Sequence, residues 1–513
     1  MLPLELDMST DEKPAARKAV VVGAGPVGCL CAIMLAKQGW LVEVYEGRPD
    51  LRLPSSKAAA QQRSINLAIS SRGITALQAI DPGATKRFHD AVIPMRGRMI
   101  HDEHGNLDSQ PYDRNGQVSV LFHPEFDRAL LNEDLLDEAC RVPTVQVFFS
   151  HKVTSLDFDK GTMSAKNLDS GRDVQVDFDF CVGADGSYSI VRRQLMRVVR
   201  MDYQQTYIPH EYLELRMPPG PVNKIDGEPT FLLDPNHLHI WPRHSFMLIA
   251  LPNKDKTFTC TLFAPTTEFD RLDTKESTLK WFKTYFPDAL PLIGEEALLR
   301  DFQNNPRSPL MIVKAKPYHY KDRAIIVGDA AHAMVPFYGQ GLNCGLEDIR
   351  VLDILLRNNG VDATSYTEGG KEDANLARAL HMYSQTRHED LITISDLAMD
   401  NYTEMRHAVT TPAYVFRHAL DNILYALTAD QVALDLTHPD QLQDAFPTRA
   451  PPGWLPLYNM VTFRPDISYA TVKRKALKQR RVLTYAGWAS AALTVGVFGI
   501  TCINLWRRIR ARS

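Results

Sequence analysis

Lys18-Ala-Val-Val-Val-Gly23-Ala-Gly25-Pro-Val-Gly28 is an apolar strand run into a glycine turn; a helical run to Gly39 and a second strand, Leu41-Val-Glu-Val-Tyr45-Glu46, follow it. A Gly-x-Gly-x-x-Gly string alone is weak evidence. Here it sits between a strand and an amphipathic helix, with an acidic residue closing the next strand, which is the setting of a dinucleotide-binding βαβ unit. Glycines at 23, 25 and 28 permit a tight turn and let the backbone approach a pyrophosphate resting on the helix N-terminus. Glu46 is placed to accept hydrogen bonds from an adenosine ribose. A second strand and turn, Ala324-Ile-Ile-Val-Gly328-Asp329-Ala-Ala-His332, comes much later and leads into Gly339-Gln-Gly341-Leu342-Asn343. Together the two turns predict FAD held for chemistry, not NAD held as a passing substrate.

At 513 residues the chain exceeds one compact core, so two or three subdomains are expected. Its seven cysteines are odd in number and scattered, with no zinc spacing and no Cys-x-x-Cys, which predicts reduced thiols and no metal site. The net charge of −3 hides a segregation: from Lys473 onward there are ten Lys or Arg and no acid. Taking those ten from the 58 basic residues leaves 48 against 61 acidic ones, a body ill suited to nucleic acid.

Those basic residues bracket Val482 to Trp506, 25 residues without a charge. At about 1.5 Å per residue such a helix spans roughly 37 Å, enough for a hydrocarbon core of about 30 Å. Tyr485, Trp488 and Trp506 lie near its ends, where amphipathic rings favour the interface. The N-terminal 18 residues carry Glu5, Asp7, Asp11 and Glu12 and no apolar stretch, so neither secretion nor matrix import is indicated. The expectation is a membrane contact through a C-terminal helix in the mitochondrial outer membrane, with the catalytic body facing the cytosol.

Between the ends, a helix is expected from Glu125 to Cys140, and strands at Val145–Phe149 and at Val174–Val182, the latter leading into Gly183-Ala-Asp185-Gly186. Tyr212–Arg216, His237–Trp241, Phe246–Leu251 and Phe258–Phe263 read as one antiparallel sheet. Helices are expected at Leu342–Arg357 and Leu376–Leu427, with surface loops at Gly360–Asn375 and Thr428–Gly453. The fold class is therefore α/β. A Rossmann-like FAD-binding domain is discontinuous over 15–80, 115–198 and 318–370. An antiparallel sheet domain for substrate is inserted at 81–114 and 199–317, a helical segment covers 371–470, and a transmembrane tail covers 482–506. No second Gly-x-Gly-x-x-Gly follows a strand, so a nicotinamide nucleotide has no Rossmann unit of its own.

The single fingerprint, the Gly-Ala-Asp-Gly motif, the late Gly-Asp turn and the inserted sheet resemble the aromatic flavin hydroxylases. Within them the chain is similar to the kynurenine 3-monooxygenase family. The similarity is carried by Arg63-Ser-Ile-Asn-Leu-Ala68, Pro94-Met-Arg-Gly-Arg98-Met-Ile-His101, Tyr207-Ile-Pro-His210 and His239-Ile-Trp-Pro-Arg243. Val335-Pro-Phe-Tyr-Gly-Gln-Gly341, Asn401-Tyr-Thr-Glu-Met-Arg406 and Leu455-Pro-Leu-Tyr458-Asn-Met-Val-Thr-Phe463 complete it. The resemblance implies that FAD is lined by Val27, by Tyr45, Glu46, Gly47 and Arg48, and by Ala68. Arg128 reaches the pyrophosphate, Val153 touches the adenine side, Asp185 belongs to the Asp-Gly motif and Asp329 takes the ribitol hydroxyls. Leu342 and Asn343 offer backbone N–H groups at a helix start, and Gln340 lies by the reacting edge.

The resemblance further implies that Arg98 and Tyr112 take the carboxylate of L-kynurenine, with Asn401 and Tyr458 completing the pocket. NADPH would reduce FAD, O2 would form a flavin C4a-hydroperoxide, and the ring carbon ortho to the amino group would be hydroxylated to 3-hydroxy-L-kynurenine. The aniline nitrogen already enriches that carbon, so no catalytic acid or base residue is assigned. Two rivals remain: another membrane-anchored flavin monooxygenase, of the squalene type, and a non-catalytic binding protein on an FAD fold. A hydrocarbon needs no Arg98, and a degenerate fold has no need of Glu46, Arg128, Asp185 and Asp329 together.

Overall fold

The computed structural model describes residues 16–54, 56, 68–83, 93–112, 119–121, 128–225, 227–364, 372–406, 409, 411–428, 445 and 450–485. One six-stranded sheet runs in the spatial order His319–Tyr320, Ala324–Ile326, Phe180–Gly183, Lys18–Val22, Leu41–Tyr45, Val145–Phe148, parallel except at its first pair. Its register decides the site. Val22 pairs with both Tyr45 and Gly183, and Gly183 pairs with Ile326. Four chain segments far apart in sequence thus end together at one sheet edge, presenting Gly23, Glu46, Asp185 and Gly328 in a row. That edge lies at the carboxyl ends of the strands, where open α/β sheets bind their ligands.

The Pro26–Lys37 helix packs under this sheet with every residue from Gly28 to Leu35 buried. The amphipathic helix expected there is instead apolar all round, because the Arg128–Arg141 and Gly341–Asn358 helices enclose it. A second, seven-stranded sheet has the order Ser308–Lys316, Asp202–Met217, Phe258–Pro265, Phe246–Pro252, His237–Arg243, Gly97–His101, Leu107–Pro111. It is not wholly antiparallel as expected: the Gly97–His101 strand runs parallel to His237–Arg243, pairing Arg98 with Leu238. The outer face of this sheet carries its own core, in which Trp241, Phe258 and Leu262 meet Phe269, Phe282 and Phe286 from the chain that follows.

Two other expectations are corrected. The Val174–Val182 run is two strands in different sheets, Asp173–Asp177 and Phe180–Gly183, since Phe178 and Asp179 turn the chain between them. The Leu376–Leu427 helix is two, Ala374–Arg406 and Pro412–Thr428, the second starting on a proline, which fits a first helical turn but not an interior. The helices at 275–304 went unpredicted. The 482–506 tail lies outside the described residues except for 482–485, which belong to a helix beginning at 469. Among the described residues no helix is long and apolar enough to cross a membrane.

Candidate active site

A cleft of about 600 Å3 opens along the sheet edge. Of the residues expected to hold a dinucleotide, Gly23, Gly25, Val27, Tyr45, Glu46, Gly47, Arg48, Val153, Asp185, Asp329 and Leu342 line it. Gly23 has φ +101°, and a Cβ there would lie 2.5 Å from the Ala184 carbonyl oxygen. Gly28 lies beneath the cleft, where a Cβ would meet the Gly23 oxygen at 2.0 Å, so this glycine lets the helix press against the turn. Beside Gly25 the space is open. The starts of two helices, Pro26–Lys37 and Gly341–Asn358, therefore face one open groove, with unpaired N–H groups and positive partial charge suited to phosphate and to a reduced ring. These residues fit FAD.

Each predicted side chain has a definite setting. Glu46 accepts from the Ala24 N–H at 2.9 Å and from Arg48 Nε at 2.9 Å. Burial works against its charge, but these bonds outweigh it and hold the carboxyl below its ordinary range. Tyr45 stacks on Phe148 at 4.8 Å and donates to Glu43. Asp185 accepts from the Ile190 N–H at 2.6 Å and from the Val191 N–H and Ser189 hydroxyl, which anchors the Ile190–Val198 helix at the cleft. Burial pushes its carboxyl above the ordinary range despite those donors. Asp329 follows Gly328, whose φ is +57°, and is exposed to the cleft. Asn343 is buried; its amide accepts from the Ser70 N–H and donates to the Gly339 carbonyl, tying the Gly339 loop to the Ser71–Ile80 helix. Ala68 begins the Ala68–Ile69 strand and Arg128 begins the Arg128–Arg141 helix, and their side chains lie outside what is described.

Under the Gly341–Asn358 helix lies a buried ionic network. Arg72 pairs with Glu347 at 2.9 Å, and Arg387 pairs with Glu347 at 2.8 Å and Asp348 at 3.0 Å. Asp348 also accepts from the Gly328 N–H at 3.0 Å and from His332. The network thereby fixes the helix that faces the groove to the turn that carries Asp329. His332, Cys344 and Asp348 bring ligand-type atoms within 4.8 Å of one another. Arg387 already lies against both Cys344 and Asp348, so a guanidinium compensates that charge.

A second cavity adjoins the first, sharing Pro336 and Gly339. Arg98, Tyr112, Tyr458 and Gln340 line it together with apolar side chains, among them Met247, Ile249, Phe263 and Met405. Arg98 is 7% exposed, sits 4.7 Å over the Tyr458 ring and 6.0 Å from Tyr112, and those two rings stack at 4.9 Å. Its Nε has no hydrogen-bond partner, and among the described residues no carboxylate forms an ion pair with it. Burial opposes the charge, but Tyr458 and Tyr112, and behind them Tyr414 and Glu404, hold its pKa above the ordinary value. Gln340 accepts from the Tyr469 hydroxyl at 3.1 Å. Asn401 lies outside the lining: its amide donates to the Phe337 carbonyl at 2.7 Å and so holds the cavity wall in place. His151, Lys152, Tyr188 and Arg193 also line the first cleft; no motif pointed to them.

Residues 17–359 match the FAD binding domain family. The chain is 43% identical over 512 residues to the kynurenine 3-monooxygenase of Cryptococcus neoformans var. neoformans serotype D, covering 96% of this chain and 98% of that one. The chain belongs to the kynurenine 3-monooxygenase family. Members from Candida albicans, at 41% identity over 97% of this chain and 99% of theirs, and from Saccharomyces cerevisiae, at 38% over 96% and 99%, match as fully. Among solved structures, 2-methyl-3-hydroxypyridine-5-carboxylic acid oxygenase superposes with a TM-score of 0.58 at 18% identity, over 79% of this chain and 96% of that one. CtdE in complex with FAD and a substrate does so with 0.57 at 14%, over 79% and 98%. At such identities these share the fold alone.

Proposed function

We propose that this FAD-dependent monooxygenase hydroxylates L-kynurenine at the carbon ortho to its amino group, using O2 and taking its electrons from NADPH. The observation that carries the substrate is Arg98, a buried cation that pairs with no carboxylate among the described residues, in an apolar cavity that adjoins the flavin groove. A buried guanidinium is stable only when something compensates it. An α-amino acid carboxylate supplies that charge, and the apolar wall receives an aromatic ring. A hydrocarbon substrate would leave Arg98 stranded.

FAD, when bound, supplies the reducible ring and the activation of O2. The chain's own residues orient and enclose. Arg98 and Tyr112 hold the carboxylate at one end, Tyr458 covers it, and Phe263, Met247 and Ile249 exclude water from the aryl ring. The Gly341–Asn358 helix start stabilises electron density at the flavin end. No side chain is assigned a proton transfer, because the amino group already activates the ring and the catalysis needed is orientation and dryness. Asn401 acts on the pocket through Phe337. The test is NADPH oxidation by the FAD-loaded chain with and without L-kynurenine, under labelled O2. Kynurenine should stimulate oxidation and yield a product carrying one labelled oxygen; failure of either outcome rejects the reading.

We also propose that 482–506 anchors the body to the mitochondrial outer membrane from its cytosolic side. The uncharged length of that run and its basic flanks support this.

A further inference from the structure

We infer that the Ser70 and Thr462 hydroxyls form a second polar subsite of the substrate cavity, which holds the amino-ketone end of the substrate and so decides which ring carbon meets the flavin. The inference rests on L-kynurenine being the substrate and adds the groups that orient its ring. Arg98 is not alone in that cavity in having unused hydrogen-bonding capacity. Among the described residues, Ser70 Oγ and Thr462 Oγ1 are likewise buried without a hydrogen-bond partner, and both residues line the same cavity at 2% exposure. Local structure offers each hydroxyl a partner that it does not take. Ser70 is the N-cap of the Ser71–Ile80 helix, where a serine side chain ordinarily accepts from the first turn, yet it makes no such bond. Thr462 stands inside the Leu457–Phe463 helix, where a threonine can bond the carbonyl one turn back, and it makes none.

The backbone sets the two hydroxyls in order along the cavity. Thr462 lies four residues after Tyr458, on the helix face whose ring covers Arg98. Arg72, two residues beyond Ser70, donates to the Val461 carbonyl at 2.6 Å and ties the two segments together. The Ser70 N–H donates to Asn343 at 2.8 Å, and Asn343 donates to the Gly339 carbonyl at 2.7 Å. Gly339 lines both cavities, so Ser70 stands at the flavin end. L-Kynurenine presents its polar groups in the same order. Its carboxylate goes to Arg98, its ketone oxygen accepts from Thr462, and its arylamine N–H donates to Ser70. Met247, Ile249 and Phe263 offer the ring only apolar contact. The amino group enriches two free ring carbons, one ortho and one para to it, and the ring's own chemistry does not choose between them. Holding the amino group at the flavin end presents the ortho carbon and turns the para carbon away.

The test compares S70A and T462V with wild type in the full, FAD-loaded chain, titrating flavin absorbance with L-kynurenine and with β-benzoylalanine, the same amino acid without its ring amino group. Wild type should prefer L-kynurenine by about threefold to tenfold, the worth of one hydrogen bond. In S70A that preference should fall towards one, through weaker kynurenine binding with β-benzoylalanine unchanged. T462V should weaken both ligands by a similar factor of about three to ten, since both carry the ketone. Hydroxylation by S70A should spread to the para carbon or lose coupling to NADPH oxidation. Melting temperature without ligand should stay level in both variants, because neither hydroxyl holds a bond there; a marked drop would reveal a structural partner and overturn the subsite. An unaltered preference in S70A overturns the role of Ser70, and unaltered affinities in T462V overturn that of Thr462. A single ortho product with unimpaired coupling in S70A overturns the orienting role. A wild-type chain that binds neither ligand overturns instead the reading on which the subsite rests.

Discussion

Replacing Arg98 by Met tests the substrate reading at its centre. The guanidinium is buried, its Nε is unpaired, and its nearest company is the Tyr458 and Tyr112 rings. In the bound state a carboxylate would complete a desolvated pair. Truncating one member of such a pair costs about 2–5 kcal/mol, which is roughly a 30-fold to several-thousand-fold loss of affinity. Without ligand the balance differs. Burial opposes the charge while Tyr458 and Tyr112, with Tyr414 and Glu404, favour it, so Arg98→Met should change the melting temperature of the substrate-free protein far less than it changes kynurenine affinity. Flavin absorbance titrated with L-kynurenine measures the first effect and thermal unfolding without substrate the second. Unchanged kynurenine affinity would move the carboxylate site elsewhere. A large drop in melting temperature would show that Arg98 has a structural partner and is not held in reserve for a ligand.

Asp329→Ala should weaken FAD, because hydroxyls left unpaired in the cleft cost about 1–3 kcal/mol, and the flavin-to-protein ratio after gel filtration checks this. Arg387→Met leaves Glu347 with Arg72 and Asp348 with His332 but removes the cation they share, and should lower stability by about 3–5 kcal/mol in urea unfolding at neutral pH. Both carboxyls lie below their ordinary values of 4.5 and 3.8 in the folded protein, against the effect of burial, through Arg387 for Glu347 and through His332 and Arg387 for Asp348. Their contribution is therefore complete above those values and lost as pH falls through the lower folded ones, so the gap between wild type and variant should close in acid. A gap independent of pH would contradict the network. Truncation before Val482 should yield a chain that keeps FAD and leaves membranes, or leaves them after a salt wash; retention on mitochondrial membranes after that wash would require a second anchor.

What was legible in the sequence was whatever a short stretch encodes by itself. The Lys18–Glu46 unit and the Gly328-Asp329 turn announce themselves because their glycines answer local demands. The parallel pairing of Arg98's strand with His237–Arg243 could not be read, since nothing in Gly97–His101 says which edge it will join. The buried acids of the Gly341–Asn358 helix were equally opaque: Glu347 and Asp348 look like a solvated face until Arg72 and Arg387 arrive from distant segments. The sequence resemblance places Asn401 in the pocket, yet its amide donates to the Phe337 carbonyl. Arg193 carried no motif, and only the folded cleft marks it out.

The substrate wall has an origin that bears on how the enzyme is made. Tyr458 and Thr462 come from a segment near the end of the body, gripped by Arg72 through the carbonyls of Met460, Val461 and Ile467. Domains form from the N-terminal side as the chain leaves the ribosome. A nascent chain therefore owns every cleft residue up to Leu342 while Arg98 still faces water, and the aromatic cover arrives more than a hundred residues later. The order of manufacture is cofactor cradle first, substrate lid last.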